Sequence, residues 1–205
     1  SSAASDVYKR QFEGDESADE LQALVESDPP LPMDEYQAAM DEAPEDDEAD
    51  VGNPHIKWSD RYKEARTFLY GGDDTEPDFM QALRLFMEEA EAGNALAMYD
   101  LGRMYADGLG VNMDADIAFM WYEKALSAFM DIEANRNSRY VEYRIGKIYA
   151  AGLGTEQDYA EAAGWFEMAA SRNHKYAQYS LAGLYYRGQG VSQDYKMAFQ
   201  LYGKA

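Results

Sequence analysis

The chain has 205 residues, no cysteine and a net charge of −21. Without cysteine it has no disulfide, thiolate zinc site or cysteine nucleophile, and without a run of about 18 apolar residues it has no predicted transmembrane helix. Its acidity argues against direct binding of nucleic acid or of an anionic membrane, because both draw affinity from clustered Lys and Arg.

The acidity is concentrated at the front of the chain. Residues 1–54 carry a net charge of −15, and residues 55–205 carry −6. Residues 12–54 are rich in Asp and Glu, and prolines interrupt any long helix. This composition predicts a disordered acidic linker. Two short stretches, Asp19–Glu26 and Asp34–Glu42, could form transient helices. This segment either folds on contact with a partner or serves as a solvated tether, and its composition favours the tether.

The first eleven residues carry a sequence that does not look native. Asp6-Val7-Tyr8-Lys9-Arg10-Gln11 can be read from GATGTGTATAAGAGACAG, which resembles a transposase-end adapter of sequencing libraries. We interpret residues 1–11 as translated adapter and leave them out of the fold prediction. On this interpretation the chain is a fragment of a longer reading frame. Since no signal peptide is visible, we expect a cytoplasmic location.

The first predicted helix runs over Trp58–Tyr70 and starts near Ser59 or Asp60. Trp58, Tyr62 and Ala65 fall on one helical stripe. Gly71-Gly72 ends the helix, and Asp78 is placed to cap the next one. Together they form a degenerate first copy of the unit that follows.

That unit is Leu101–Leu126, which reads as helix, glycine loop and helix, and the sequence repeats it. The Asp positions recur at offsets of 36, 44 and 36 residues, a period typical of stacked helical repeats. The structural positions of the three later copies are Leu101, Gly102, Tyr105, Gly108, Gly110, Asp114, Ala118, Trp121 and Ala125; Ile145, Gly146, Tyr149, Gly152, Gly154, Asp158, Ala162, Trp165 and Ala169; and Leu181, Tyr185, Gly188, Gly190, Asp194 and Ala198.

Four positions within the unit have a specific predicted role. Gly102 lies inside a helix, where glycine costs about 0.5–1 kcal/mol, so it indicates close approach of the facing helix. Gly108 and Gly110 are expected to supply a positive φ after the first helix ends. Asp114 is expected to cap the second helix.

The 44-residue offset indicates an insertion of eight residues between Leu126 and Ile145. Eight residues are close to two helical turns, so Leu126, Phe129 and Ile132 stay on one stripe and the helix should run from Asp114 to about Glu133. Its projecting end could be a contact surface or simple length variation, and we favour the latter.

The predicted array spans residues 55–205, with a degenerate unit at 58–92 and further units at 95–134, 139–171 and 175–205. The helices of the last two units are expected over Arg139–Ala151, Asp158–Ser171, Lys175–Arg187 and Asp194–Ala205. Since a capping helix does not follow, we interpret the last unit as truncated.

The pattern from Ala97 to Ala125 closely resembles the Sel-one-like repeat, a relative of the tetratricopeptide repeat that has a G-x-G-V loop. The resemblance covers about Trp58 to Ala205. It implies an all-α fold, a right-handed α-solenoid of antiparallel helix pairs, and a role as a scaffold for protein complexes. It supplies no catalytic residues, so we expect a non-enzymatic module.

The acidic stretch followed by WSDRYKEARTFLYG also resembles the C-terminal region of some bacterial mobilisation relaxases. The alternative function is therefore that of an accessory region of a DNA-processing enzyme whose catalytic domain lies upstream.

No catalytic, cofactor or metal site is predicted. The Gly108-Leu109-Gly110 loop lacks a third glycine and occurs three times, which indicates a structural role and not a phosphate site. His55 and His174 have no ligand companions at suitable spacing. Trp121 and Trp165 are expected in the core. The acidic group around Asp73 and Asp74 is explained by a turn and a helix cap.

A functional site, if present, is expected to be a surface that binds a protein or peptide. The candidates lie on the first helix of each repeat unit, at positions outside the apolar stripe that is expected to face the core. They are Tyr99, Arg103, Tyr143, Arg144, Lys147, Tyr179 and Tyr186. Tyr and Arg are enriched among binding hot spots. The alternative is that Tyr99, Tyr143 and Tyr179 simply pack between units.

Overall fold

The structure, a computed structural model, describes residues 58–72, 76–135 and 138–205. Within these residues the chain forms eight α-helices. In chain order they are α1 (Asp60–Tyr70), α2 (Phe79–Glu91), α3 (Ala95–Asp107), α4 (Ala115–Asn135), α5 (Arg139–Ala151), α6 (Tyr159–Ser171), α7 (Lys175–Arg187) and α8 (Tyr195–Tyr202). The interpreted adapter, the acidic linker, His55, Asp73 and Asp74 lie outside the described residues.

The described residues fall into two compact units. One contains α1 to α5 and ends at Asp158, and the other runs from Tyr159 to Ala205 with α6 to α8. Within each unit, helices that follow one another in the chain pack against each other. The short loops reverse the chain between neighbours, which gives antiparallel helix pairs. This confirms the predicted fold class, which is an all-α solenoid built from antiparallel helix pairs.

Side chains at the helix starts accept hydrogen bonds from backbone N–H groups that have no partner within the helix. Asp78 accepts from the N–H of Gln81, and Asp114 accepts from the N–H of Ile117 at 3.0 Å. Both had been predicted as caps. The other capping residues are Ser59, Asn94, Ser138, His174 and Asp194.

Each glycine loop contains two glycines with positive φ, as predicted, but the two have different roles. Gly108, Gly152 and Gly188 end the first helices in the left-handed conformation. The second glycine of each loop lies directly against an earlier helix. A Cβ on Gly190 would lie 2.2 Å from the carbonyl carbon of Tyr159, so only glycine fits there.

These second glycines show how the insertion in α4 is accommodated. Gly110 lies against Phe79 and Gly190 against Tyr159, which are the first residues of α2 and α6. Gly154 instead lies against Glu123, eight residues after α4 begins at Ala115. The loop of the following repeat therefore contacts α4 about two turns later than in the other pairs.

This displacement corrects the prediction that the far end of α4 projects. Phe129 and Ile132, in the added turns, are buried. The exposed apolar residues lie nearer the start of the helix, where Phe119 is 49% and Met120 39% exposed. The added turns at the end of α4 are thus buried. The part of the helix that precedes the contact with Gly154 is exposed to solvent instead.

Gly102 has the packing reason that its position in the helix requires. A Cβ at this position would lie 2.6 Å from Cδ1 of Tyr122 on the facing helix α4. Two other predictions need correction. Helix α8 ends at Tyr202 and not at Ala205, next to Gly203, a poor helix former. Trp121 is buried as expected, but Trp165 is only half-buried.

Candidate functional site

Three aromatic side chains and one arginine line one face of α1 and the residues just before it. Trp58, Tyr62, Arg66 and Tyr70 recur every four residues, which places them on the same side of the helix. The Cζ atom of Arg66 lies 5.8 Å from the ring centroid of Trp58 and 5.1 Å from that of Tyr70. Tyr62 is buried, whereas Tyr70 is 38% exposed. The face therefore runs from the core to the surface.

Helix α3 places a carboxylate and a second arginine against this face. The hydroxyl of Tyr62 donates to Oδ2 of Asp100 at 2.7 Å in a buried hydrogen bond. Nη2 of Arg103 donates to the hydroxyl of Tyr70 at 2.8 Å, and its Cζ lies 5.2 Å from the Tyr70 ring centroid. Tyr70 thus has an arginine within cation–π distance from each of two helices, α1 and α3.

Helix α5 contributes two more cations and two tyrosines. Nε and Nη2 of Arg144 donate to the hydroxyl of Tyr140 at 3.0 and 2.5 Å. The Cζ of Arg144 lies 5.3 Å from the Tyr99 ring centroid, and Nζ of Lys147 lies 5.8 Å from that of Tyr143. The Trp58 and Tyr140 rings are 6.0 Å apart, which joins α5 to α1.

We call this group the Tyr/Arg cluster. It consists of Trp58, Tyr62, Arg66, Tyr70, Tyr99, Asp100, Arg103, Tyr140, Tyr143, Arg144 and Lys147, all in the unit that ends at Asp158.

Two tyrosines of the cluster, Tyr62 and Tyr70, have a raised pKa. Burial raises the pKa of Tyr62 well above its usual value, and the charge of Asp100 raises it further. Burial also raises the pKa of Tyr70, although Arg103 acts in the opposite direction. These phenols therefore remain hydrogen-bond donors at neutral pH, and the positive charge of the cluster resides on its Arg and Lys side chains.

The structure brings five of the seven predicted site residues together but corrects their exposure. Tyr99, Tyr143, Arg144 and Lys147 are buried, and Arg103 is half-buried. The expectation that these positions lie outside the core is therefore wrong for most of them. Their long side chains extend sideways onto aromatic rings of neighbouring helices, so burial does not follow the stripe expected for a single helix.

The other two predicted residues lie in the second unit. The Tyr179 ring makes an edge contact with Tyr202 at 5.0 Å, and Tyr186 makes one with Tyr195 at 5.4 Å. The Tyr99 ring makes a similar contact with Tyr122 on α4 at 5.3 Å. These ring contacts of Tyr99 and Tyr179 join the two helices of one unit, so the alternative interpretation, packing between units, stays a prediction.

The sequence prediction missed the part of the cluster that α1 supplies. Trp58 and Tyr62 had been assigned to the core stripe of a degenerate copy, and Arg66 and Tyr70 had been given no site role. The signal available was the four-residue spacing of aromatic and cationic side chains. The spacing alone does not show that side chains of α3 and α5 reach those of α1.

His174 also has a role that its isolation in the sequence did not reveal. Its Nδ1 accepts a hydrogen bond from the N–H of Ala177 at 3.2 Å and caps α7. Among the described residues no group of three His, Cys, Asp or Glu side chains is arranged to hold a metal ion. In the same part of the chain, no helix is long and apolar enough to cross a membrane.

Comparisons with known proteins agree with the repeat pattern. The Sel1 repeat model matches residues 65–94, 95–128, 140–174 and 175–205. Two Arabidopsis thaliana relatives, the ERAD-associated E3 ubiquitin-protein ligase components HRD3B and HRD3A, are 37% and 36% identical over 59 residues. That match covers 29% of this chain and 10% or 9% of theirs, so the chain spans about a tenth of the length of these relatives.

Two solved structures share the fold. The Escherichia coli protective antigen c5321, described as displaying an SLR fold, is 33% identical with a TM-score of 0.50, covering 70% of this chain and 29% of its own. A Sel1 repeat protein from Oxalobacter formigenes is 22% identical with a TM-score of 0.52, covering 70% and 54%. Since four consecutive copies of the repeat model match more than half of the chain, and the helix pairs have the same fold, the chain belongs to the Sel1 repeat family.

Proposed function

We propose that this chain is a non-catalytic module that binds a partner protein or peptide through the exposed edge of the Tyr/Arg cluster. Sel1 repeats are protein-interaction modules, and the family assignment supports that general role. The observation that carries the specific proposal is the placement of Arg66 and Arg103, whose Cζ atoms lie 5.1 and 5.2 Å from the ring centroid of the exposed Tyr70.

The chemistry of this edge suits peptide recognition. Tyr70 and its two arginines offer apolar area, hydrogen-bond donors and positive charge, the combination enriched at binding hot spots. The buried hydrogen bond from Tyr62 to Asp100 joins α1 to α3 behind the edge, so little ordering is required on binding. Arg103 remains a candidate contact, whereas the buried Tyr99, Tyr143, Arg144 and Lys147 are assigned to support.

Two finer parts of the functional prediction stay predictions. By their names, the Arabidopsis relatives are components of a ubiquitin ligase, which supports a place in an assembly without identifying the partner. The role as an accessory region of a mobilisation relaxase and the cytoplasmic location have no further observation in their favour.

Selection of displayed peptides against the full chain tests the proposal. The site variant Arg66→Gln/Arg103→Gln removes two cations from the edge. The control variant Arg61→Gln/Arg84→Gln removes the same charge from exposed arginines that pair with Glu88 outside the cluster. Peptides selected on the native chain should bind the site variant at least about tenfold more weakly and the control unchanged.

Both variants should keep a native circular dichroism spectrum, which separates loss of binding from loss of fold. Equal binding of the selected peptides to the two variants would place the contact surface elsewhere and overturn the proposal.

A further inference from the structure

We propose that the exposed start of α4 is a second interaction surface, which binds a basic amphipathic helix of a partner protein. Its apolar residues are Met113, Phe119 and Met120, and we call them the α4 apolar surface. The inference does not depend on the proposed function, because no residue of the Tyr/Arg cluster takes part in this surface.

The displaced loop contact leaves this part of α4 uncovered. Gly110 and Gly190 pack against the first residues of α2 and α6, so in those pairs the loop contact begins where the helix begins. Gly154 packs against Glu123, and Phe119 precedes Glu123 by four residues, which places both on the same side of α4. Phe119 therefore extends an established packing interface toward the start of the helix, where the loop does not reach.

Met113 breaks a pattern that the two later loops keep. At the equivalent positions, Nε2 of Gln157 donates to the carbonyl of Ala150 at 2.8 Å, and Nε2 of Gln193 donates to that of Tyr186 at 2.9 Å. Met113 cannot donate such a bond, and the residue is 71% exposed. A position that joins the loop to the preceding helix in two repeats thus adds apolar area to the surface of this one.

The surrounding charge selects the class of partner. Residues 113–124 and the loop between α5 and α6, residues 152–158, contain five Asp or Glu and one Lys, a net charge of −4. An apolar surface with an acidic rim is complementary to a helix whose apolar face is flanked by Lys and Arg. The same charge repels the chain's own acidic segment and a second copy of the chain, which carries −21. A basic partner is therefore favoured over both.

The side chains of the surface suit a helical partner. Methionine has three rotatable bonds and a polarisable thioether, so it can adapt to apolar side chains of different shape. Phe119 adds a rigid ring. Trp121 and Tyr122 are buried and hold this part of α4 in the core, so the helix is already ordered before a partner binds.

Selection from displayed peptides tests the inference on the full chain. The library consists of amphipathic helices of about 16 residues, between four and five turns, with Leu, Ile, Phe or Met at the apolar positions. The other positions carry Lys, Arg, Asp, Glu, Gln or Ala. Peptides are selected on the native chain and depleted on Phe119→Ala/Met120→Ala, and we expect the remaining ones to be basic. A remaining set that is acidic or empty would overturn the inference.

Fluorescence anisotropy of the remaining peptides then measures the apolar contribution. Phe119→Ala/Met120→Ala should raise the Kd by at least about tenfold. The matched control Met168→Ala/Met197→Ala removes two similarly exposed apolar side chains from the second unit and should leave the Kd unchanged. All variants should keep a native circular dichroism spectrum. An equal loss of affinity in the control variant would contradict a contact at α4.

A second pair of variants measures the contribution of the acidic rim. Asp116→Asn/Glu123→Gln removes two charges from α4, whereas Glu64→Gln/Glu91→Gln removes the same charge from exposed positions on α1 and α2. At about 50 mM salt the first should raise the Kd by about threefold or more, and the second should leave it unchanged. Equal effects of the two pairs would overturn the assignment of a basic partner.

The outcome is distinguishable from failure of the proposed function. Arg66→Gln/Arg103→Gln should leave binding of these basic peptides unchanged, although it should weaken peptides that bind the Tyr/Arg cluster. If peptides bind at that cluster but none remains after depletion on Phe119→Ala/Met120→Ala, the proposed function stands and this inference fails. The reverse result leaves only this inference standing.

Discussion

Gly154 and Gly164 occupy opposite environments, although both are glycines within repeats. A Cβ on Gly154 would lie 2.2 Å from the backbone nitrogen of Glu123, and its φ is +64°. Gly164 lies within α6 and has nothing within 4 Å of an added Cβ. The first residue is therefore required by packing against another helix, and the second is not.

We expect opposite changes in stability from the two alanine substitutions. Gly154→Ala should lower the free energy of unfolding by at least about 2 kcal/mol, because it combines backbone overlap with a strained φ. Gly164→Ala should raise it by about 0.5–1 kcal/mol, the usual gain for a helix interior. Urea denaturation followed by circular dichroism measures both, and equal effects would contradict the assigned close contact.

His174 caps α7 through a ring nitrogen of its side chain. Its Nδ1 must be unprotonated to accept from the N–H of Ala177, and a protonated imidazole at a helix start is also opposed by the helix dipole. We expect His174→Ala to cost about 0.5–2 kcal/mol at pH 7.5, and His174→Asn to retain most of the stability.

The two replacements also separate the cap from general packing, because the side chain of Asn can accept the same backbone hydrogen bond and that of Ala cannot. Urea denaturation measures both variants. A free energy of unfolding of His174→Asn as low as that of His174→Ala would show that the hydrogen bond from Ala177 does not stabilise the start of α7.

At the scale of the element, α4 shows the effect of an insertion on a repeat stack. Its added turns bury Phe129 completely, whereas Phe119, ten residues earlier in the same helix, is 49% exposed. We expect Phe129→Ala to cost about 3–5 kcal/mol and Phe119→Ala less than about 0.5 kcal/mol. Thermal or urea unfolding of the two variants gives the comparison. A small cost at Phe129 would mean that the added turns do not contribute to the core.

Buried glutamates connect the end of one repeat to the start of the next. Nδ2 of Asn94 donates to Oε2 of Glu89 at 2.8 Å, and the backbone N–H of Ser138 donates to Oε2 of Glu133 at 3.0 Å. The two pairs are 44 residues apart, the same offset as the repeat. They satisfy polar groups at a junction where the chain turns inside the core.

At the scale of the whole molecule, buried tyrosines should make the fold sensitive to alkali. Burial raises the pKa of Tyr62 and Tyr122, and it raises that of Tyr179 to about 12. In the unfolded chain these phenols ionise near pH 10. Because the folded chain holds their protons more tightly, their contribution to stability is complete below pH 10 and decreases as the pH rises further. The contribution of Tyr179 is lost by about pH 12, and those of Tyr62 and Tyr122 are lost only at higher pH.

Absorbance at 295 nm and circular dichroism should therefore change together at high pH. Of the seventeen tyrosines, the exposed ones should ionise near pH 10, and the buried ones should ionise only as helical structure is lost. Ionisation of all tyrosines near pH 10, with an unchanged circular dichroism spectrum, would contradict this expectation.

Local chemistry in the sequence was enough to determine the repeat and most of its helix boundaries. The glycines that follow α3, α5 and α7, and the Asp caps of the second helices, act within a few residues of where they stand. Positive φ and end-capping depend on neighbouring backbone, so these features can be read before the fold is known. The family resemblance followed from the same positions.

The candidate site was decided by tertiary structure. Arg66 and Tyr70 on α1 meet Arg103 on α3 only because the folded chain brings the side chains of these two helices within reach of each other. Likewise, nothing local indicates that Gly154 contacts Glu123 instead of the start of α4. The periodicity of a sequence indicates which side of a single helix is apolar. Whether a long Tyr, Arg or Lys side chain is buried depends instead on the aromatic rings of the neighbouring helices. Only the tertiary structure determines those neighbours.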